Sequence, residues 1–283
     1  MKAVKKNLIM QTCVLVERWK SHLSELLSPE ELDLDALKNK DYLDPSIWIE
    51  DIAPKKDVVN KLLNITRDFF NKLNLKNIKI YDIILTGSIA GYNWSNYSDI
   101  DLHILIDFKE VDENVDLVKD YFDAKRYVWN KAHDIVISGH EVEIYIQDVS
   151  EPHISSGIYS IMKKSWITKP EKEDFSIDDK NVTMKVNAFV DEIDRLEGLY
   201  NKGLYENAYK YGNKLKEKIK RFRTCGLEKE GIFSVENLTF KVLRRTEYIG
   251  KLMNIITNSY DRKMSINGRS TGEKRITIRT SGR

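Results

Sequence analysis

The sequence predicts a mixed α/β core, a β-sheet with flanking helices, followed by a C-terminal all-α helical domain. Three observations carry this. Between Asp57 and Gln147 the apolar period switches between helical spacing and two-residue alternation. Beyond Pro170 the spacing is helical only. The length of 283 residues suits about two domains at roughly 150 residues each. The boundaries read as an N-terminal helical extension over 1–50, the α/β core over 51–175, the helical domain over 176–260, and a basic, disordered tail over 261–283.

Taken in order, Met1–Lys20 opens with lysines, and Gln11, Thr12 and Glu17 interrupt its apolar run. It reads as an amphipathic helix packed on the body of the protein and not as a signal peptide. Ser28 before Pro29 offers a capping serine followed by proline at the first helical position. From Asp57 to Asn74, Val58, Leu62, Leu63, Ile65, Phe69, Phe70 and Leu73 recur at helical spacing. Ile78–Thr86 is rich in β-branched and aromatic residues, and Asp99–Ile106 alternates cleanly; both predict strands. Asp116–His133 predicts a helix whose apolar face is Leu117, Tyr121, Ala124 and Val128. Glu141–Gln147 alternates again as a third strand. Val182–Tyr200, Leu204–Arg223 and Ser234–Tyr260 predict three helices, separated near Gly203 and around Gly226 to Gly231.

Lys plus Arg is 46 against 44 for Asp plus Glu, a net charge of +2. That near balance excludes a wholly basic nucleic-acid binder but leaves room for local patches. Residues 261–283 carry +5, so the rest of the chain carries −3. Two cysteines, Cys13 and Cys225, make neither a disulfide framework nor a metal-ligand spacing and suit reduced thiols in a cytoplasmic protein. No apolar run approaches the roughly 20 residues of a membrane span, so no membrane partner is expected.

The chemistry concentrates between Leu85 and Leu102. A strand ends in Gly87-Ser88, ten residues follow, and Asp99-Ile-Asp101 opens the next strand. Side chains at i and i+2 share a face of a strand, so Asp99 and Asp101 project together. No basic residue lies between them, and a divalent cation relieves their mutual repulsion. Such hard oxygen ligands suit Mg²⁺, which also takes substrate phosphates into its shell. Glycine lets backbone approach a ligand closely, and amides exposed in a turn beside the Ser88 hydroxyl make an anion site. Metal-binding carboxylates beside a phosphate cradle point to phosphoryl or nucleotidyl transfer.

Gly-Ser at a strand end, this spacer and Asp-hydrophobic-Asp-hydrophobic resemble the catalytic motif of the DNA polymerase β-like nucleotidyltransferase superfamily. The motif resemblance covers roughly residues 57–150. Ser46-Ile-Trp48, Gly91-Tyr-Asn-Trp94, Phe122-Asp-Ala-Lys-Arg126 and His153–Ser160 further resemble uncharacterised nucleotidyltransferase-like proteins of large tailed phages. The resemblance implies a host-cytoplasmic enzyme that moves a nucleoside monophosphate from a nucleoside triphosphate to an acceptor hydroxyl and releases pyrophosphate. Asp99 and Asp101 would bind two Mg²⁺ ions, with Mn²⁺ as a substitute. Glu143, in Val142-Glu143-Ile144, best matches the family's third carboxylate, where Asp is commoner. Glu141 shares its face and stays open for the same role. Gly87 and Ser88 would hold the β- and γ-phosphates. Lys241 and Arg244 are the favoured phosphate contacts from the helical domain.

The acceptor the basic tail and helices favour is RNA, such as a tRNA 3′ end. A protein or small-molecule hydroxyl, a second nucleotide in second-messenger synthesis, and a non-catalytic nucleotide- or RNA-binding module are the alternatives. The chain lacks the Gly-Gly-Ser-x-Arg run of CCA-adding enzymes. His103 shares the face of the aspartates and reads first as a hydrogen-bonded structural histidine. Tyr92 and Trp94 read as loop pins before base-stacking residues, and Lys125 and Arg126 as a solvated helix face before phosphate contacts. His153 and Ser155-Ser-Gly157 read equally as a turn or a nucleotide-contacting loop. The run Lys214, Lys216, Lys218, Lys220, Arg221 and Arg223 reads as a charged helix face.

Overall fold

Alternating and helical stretches resolve into two units in the computed structural model, which describes residues 27, 31–73, 75, 78–172 and 175–266. One unit is Asp33–Ile177; the other is Met1–Leu32 with Asp178–Arg283. The expected helix over Met1–Lys20, the helix start at Ser28-Pro29 and the tail beyond Ile266 lie outside the described residues.

The α/β unit contains, in chain order, β1 (Trp48–Ile49), β2 (Ala53–Pro54), α1 (Lys56–Leu73), β3 (Ile80–Thr86), β4 (Ile100–Ile106), α2 (Val115–Ala132), β5 (Val136–Ile137), β6 (His140–Asp148), β7 (Ile158–Ser160) and β8 (Ser165–Thr168). Six strands form one mixed sheet in the order β5-β6-β4-β3-β7-β8. β4 and β6 are parallel, as a crossover through a helix requires, and the remaining pairs are antiparallel. The β7–β8 pair has no counterpart in the sequence expectation.

Alternation gives the sheet two different faces. Leu85, Ile100, Leu102, Ile104, Ile106, Val142 and Ile144 pack into one core with Val58, Leu62 and Phe69 of α1 and Val118, Phe122 and Trp129 of α2. Phe69 meets Trp129 edge to face at 5.4 Å. The expected face of α2 is corrected: Leu117 and Val128 are 60% and 63% exposed, and Val118, Phe122 and Trp129 are the buried stripe. Asn130 also closes the outer edge of β6, exchanging two hydrogen bonds of 3.1 Å with the backbone of Ile144. Asp101, His103, Glu143 and Tyr145 are left on the opposite, half-buried face.

Residues 33–54 belong to the α/β unit. This stretch holds little regular structure, so its polar groups bond to the loop that follows β3. Trp48 Nε1 donates to the Ile89 carbonyl at 2.8 Å, Lys40 N to the Tyr92 carbonyl at 2.8 Å, and Trp94 Nε1 to the Tyr42 carbonyl at 2.8 Å. Trp48 also stacks on Trp166 of β8 at 4.7 Å. Tyr92 and Trp94 thereby act as the pins of this loop.

The helical unit contains α3 (Asp179–Asn201), α4 (Tyr205–Glu230), α5 (Val235–Arg245) and α6 (Tyr248–Met264). Asp178 and Ser234 cap α3 and α5 through their side chains. Val186, Ile193, Leu196, Leu215, Ile219, Val242, Leu243, Leu252 and Ile256 are among its buried residues. Two expectations are corrected here. The single helix over Ser234–Tyr260 is two helices, broken where Glu247 takes a left-handed φ of 63°. Gly226 is not a break: it lies buried inside α4, where an added Cβ would stand 2.4 Å from Glu236 Cβ. Among the described residues no helix is long and apolar enough to cross a membrane.

Candidate active site

Strand register gathers the site. Thr86 at the end of β3 pairs with Asp101 of β4, and Asp101 pairs with Glu143 of β6. Adjacent strands lie about 4.8 Å apart, so the two carboxylates emerge from neighbouring strands on one face. Asp99 lies two residues before Asp101 on the chain entering β4, and Glu141 two residues before Glu143 on β6. Glu141 is exposed, whereas Glu143 is half-buried and accepts a hydrogen bond from the Tyr145 hydroxyl.

Gly87 shapes the turn beside them. Its φ is +75°, a region that disfavours any side chain. A Cβ built on it would fall 1.8 Å from Asp101 Oδ2. The carboxylate of Asp101 therefore occupies the room that the missing side chain leaves. Ser88 opens a three-residue 3₁₀ turn, Ser88–Ala90. Its Oγ donates to Ser98 Oγ at 2.8 Å, and Ser98 Oγ accepts from Ser95 N at 2.9 Å. The two ends of the ten-residue spacer are thus fastened to each other.

His153 and the Ser155–Gly157 loop pack against this turn. A Cβ on Gly157 would meet the Ala90 carbonyl at 1.8 Å, and one on Gly91 would meet Ser156 Oγ at 2.9 Å. His153 joins Gln147 Oε1 at 2.9 Å through Nδ1 and Thr86 Oγ1 at 2.8 Å through Nε2. His103 Nδ1 joins the same Gln147 oxygen at 2.9 Å. An amide oxygen only accepts, so both rings carry their proton on Nδ1. Burial lowers the His103 pKa to about 4 and that of His153 in the same direction, so both rings are neutral at pH 7. His103 stacks on Tyr145 at 4.7 Å, and Arg126 of α2 lies 4.7 Å over the other partner of that stack, the Tyr145 ring. Burial, then the bond to Glu143, raises the Tyr145 pKa, which keeps the phenol a donor.

A pH dependence follows from His103. In the unfolded chain it titrates near 6.5 and in the fold near 4, so the unfolded state binds the extra proton between these values. Stability from this group is full above pH 6.5 and is lost as pH falls through 4. The difference amounts to about 3 kcal/mol at 1.36 kcal/mol per unit. Urea unfolding of His103→Gln should show an acid-side loss smaller by this amount than the wild type; equal pH slopes would refute it.

Lys241 and Arg244 lie on α5 within the helical unit, beside Arg223 of α4. Arg223 donates to Asn237 Oδ1 at 3.1 Å and lies 4.2 Å over Phe240. Burial first, then Arg244 and Arg223, lowers the Lys241 pKa to about 8. Its charge is therefore held at a cost to stability below pH 8, of up to about 3 kcal/mol. Lys241→Met is expected to raise the melting temperature at pH 7 and to change it little near pH 10.5. A lowered melting temperature at pH 7 would contradict this.

Sequence reasoning singled out the carboxylates, Gly87 and Ser88. It missed Tyr145, which reaches Glu143 along its own strand, and Gln147, Thr86, His140 and Asp44, whose partners are remote in sequence and carry no local signal. The donor chemistry of Asp99, Asp101 and Glu143, three hard-oxygen carboxylates on adjoining chain segments, suits Mg²⁺. Among the described residues no three His, Cys, Asp or Glu side chains are drawn together closely enough to hold an ion, and Glu143 is turned to Tyr145.

No family model matches the chain, and no curated protein matches it. A solved structure described as the STING-associated CdnE c-di-GMP synthase from Capnocytophaga granulosa is similar over 75% of this chain and 84% of that one. The identity is 15% and the TM-score 0.19, a superposition too poor to add to the geometry above.

Proposed function

We propose that the chain is a nucleotidyltransferase that transfers a nucleoside monophosphate from a nucleoside triphosphate to an acceptor hydroxyl and releases pyrophosphate. The observation that carries this reading is the register that sets Asp101 against both Gly87 and Glu143 at one end of the sheet. Because Gly87 lets the turn's backbone pack directly against the Asp101 carboxylate, a phosphate chain held by that turn would lie next to the metal ligands. Asp99, Asp101 and Glu143 would hold the divalent ions. When bound, Mg²⁺ there supplies neutralisation of phosphate charge and a more acidic acceptor hydroxyl. The Gly87-Ser88 turn binds and orients the terminal phosphates. The neutral His103 and His153 hold the back of the site through Gln147 and add no charge to it.

RNA is the acceptor class that local charge favours. Lys214, Lys216, Lys220 and Arg221 belong to the basic run along α4, and residues 261–283 add a charge of +5. Part of the run is already used, since Lys218 pairs with Glu192 at 2.6 Å. The test is incubation of the full chain with α-labelled nucleoside triphosphates, Mg²⁺ and a lysate. Label in RNA supports the reading. Label in protein or in a small soluble product overturns the acceptor and keeps the enzyme class. Label nowhere overturns both.

A further inference from the structure

We infer that His140, backed by Asp44, is the positioning residue that holds the Ser88–Asp99 segment in its working shape. This deepens the reading above and rests on it. His140 is buried, and its Nδ1 lies 2.7 Å from the Ser98 carbonyl oxygen while its Nε2 lies 2.7 Å from Asp44 Oδ2. The Ser98 carbonyl can only accept, so Nδ1 carries the proton on that side, while Nε2 faces the Asp44 carboxylate. Asp44 is equally buried and spends its second oxygen on Ser46 N at 2.7 Å. The Asp44 backbone carbonyl takes Ile47 N and Trp48 N, which fixes the carboxylate in place.

The residue held at the far end is the informative one. The Ser98 carbonyl belongs to the peptide that leads into Asp99, and the Ser98 hydroxyl receives the Ser88 hydroxyl. One histidine therefore governs, through one serine, both the carboxylate end and the phosphate end of the spacer. The front of the same loop is held by Trp48 on the Ile89 carbonyl. Asp44 and His140 are 96 residues apart in sequence, and both are buried. A buried pair of this kind is weak as a source of stability but effective in fixing one geometry, and what it fixes here is the candidate site.

The experiment compares full-length wild type with His140→Gln and Asp44→Asn. Glutamine offers donors at one nitrogen only and cannot bridge both acceptors. In Asp44→Asn the introduced amide can donate to Nε2 of His140 while Nδ1–H still serves Ser98. Calorimetry with Mg²⁺ and each ribonucleoside triphosphate should show the His140→Gln dissociation constant raised about 10-fold or more, with kcat also lowered. Asp44→Asn should stay within about 3-fold of wild type by the same scale. Combined with Ser98→Ala, His140→Gln should be non-additive in binding, since both act through Ser98. Amide hydrogen exchange over residues 94–100 should be faster in His140→Gln, a change that mere loss of global stability would spread over the whole unit. If His140→Gln fails to fold, Asp44→Asn/His140→Gln, a neutral pair of similar volume, replaces it with the same expectations. Unchanged exchange over 94–100 overturns the inference, as does unchanged binding in a folded variant. If the wild type binds no nucleotide, the proposed function fails, and exchange over 94–100 alone then upholds or overturns the tether.

Discussion

Asp101→Asn is expected to lower nucleotide transfer on the order of 10³-fold or more, equivalent to about 4 kcal/mol of transition-state stabilisation. Asp101 stands at the crossing of three structural facts. It pairs with Thr86 on one side and Glu143 on the other, and its Oδ2 fills the space against Gly87. Asparagine keeps the volume and removes the charge that a divalent ion needs. The fold should survive, because the core lies on the opposite face of the sheet with Leu102, Ile104, Val142 and Ile144. A melting temperature within a few degrees of wild type, with transfer lost, is the expected pair of readings. Near-normal transfer in folded Asp101→Asn would remove the residue from the mechanism.

Gly87→Ala is expected to do comparable damage by a different route. A methyl group at this position would sit 1.8 Å from Asp101 Oδ2, so the carboxylate has to move. The backbone at φ +75°, ψ −162° lies in a region essentially confined to glycine and adds about 1–3 kcal/mol of strain for a residue with a side chain. A reacting group displaced by about 1 Å can cost on the order of 10²-fold in rate. The expected reading is a modest drop in melting temperature and a loss of transfer near that size. Retained transfer would mean that Asp101 does not need the space Gly87 leaves. Gly139 is the control. It also has a positive φ, of 93°, but nothing lies within 4 Å of its missing Cβ. Gly139→Ala should therefore carry the strain without the loss of transfer.

The strands that carry the carboxylates were legible because alternation over Asp99–Ile106 and Glu141–Gln147 is clean and one face is buried. The order of the sheet was not, since register between β4 and β6 depends on a crossover helix between them. That helix carries two apolar stripes one residue apart, Leu117-Tyr121-Ala124-Val128 and Val118-Phe122-Trp129, and periodicity alone cannot rank them. The aromatic and larger stripe won, through Phe69 and Phe108. The break at Glu247 has no sequence mark, because the left-handed position is filled by glutamate and not by glycine or asparagine. Gly226 carried the opposite error: the glycine serves a close helix crossing and not a turn. The β7–β8 hairpin escaped notice because its strands are three and four residues long.

The site divides in the same way. Gly87, Ser88, Asp99 and Asp101 lie within one short segment, and their chemistry is visible in their spacing. The groups that hold them are remote in sequence. Tyr145 reaches Glu143 along one strand, but Gln147 joins His103 across 44 residues and His140 joins Asp44 across 96. Residues 33–50 read in the sequence as part of a helical extension, yet they are the strap that fastens the loop after β3. Their role is expressed in single hydrogen bonds, from Trp48 and Lys40 to the loop and between Asp44 and His140, which no periodicity records.

The most direct measurement uses the purified chain with Mg²⁺, a competent acceptor fraction and two labels on the same nucleoside triphosphate. With the label on the α-phosphorus, radioactivity should move to the acceptor. With the label on the γ-phosphorus, it should appear as pyrophosphate, and both signals should vanish in Asp101→Asn. Labelled orthophosphate in place of pyrophosphate, or γ-label on the acceptor, would show attack at a different phosphorus and contradict nucleotidyl transfer.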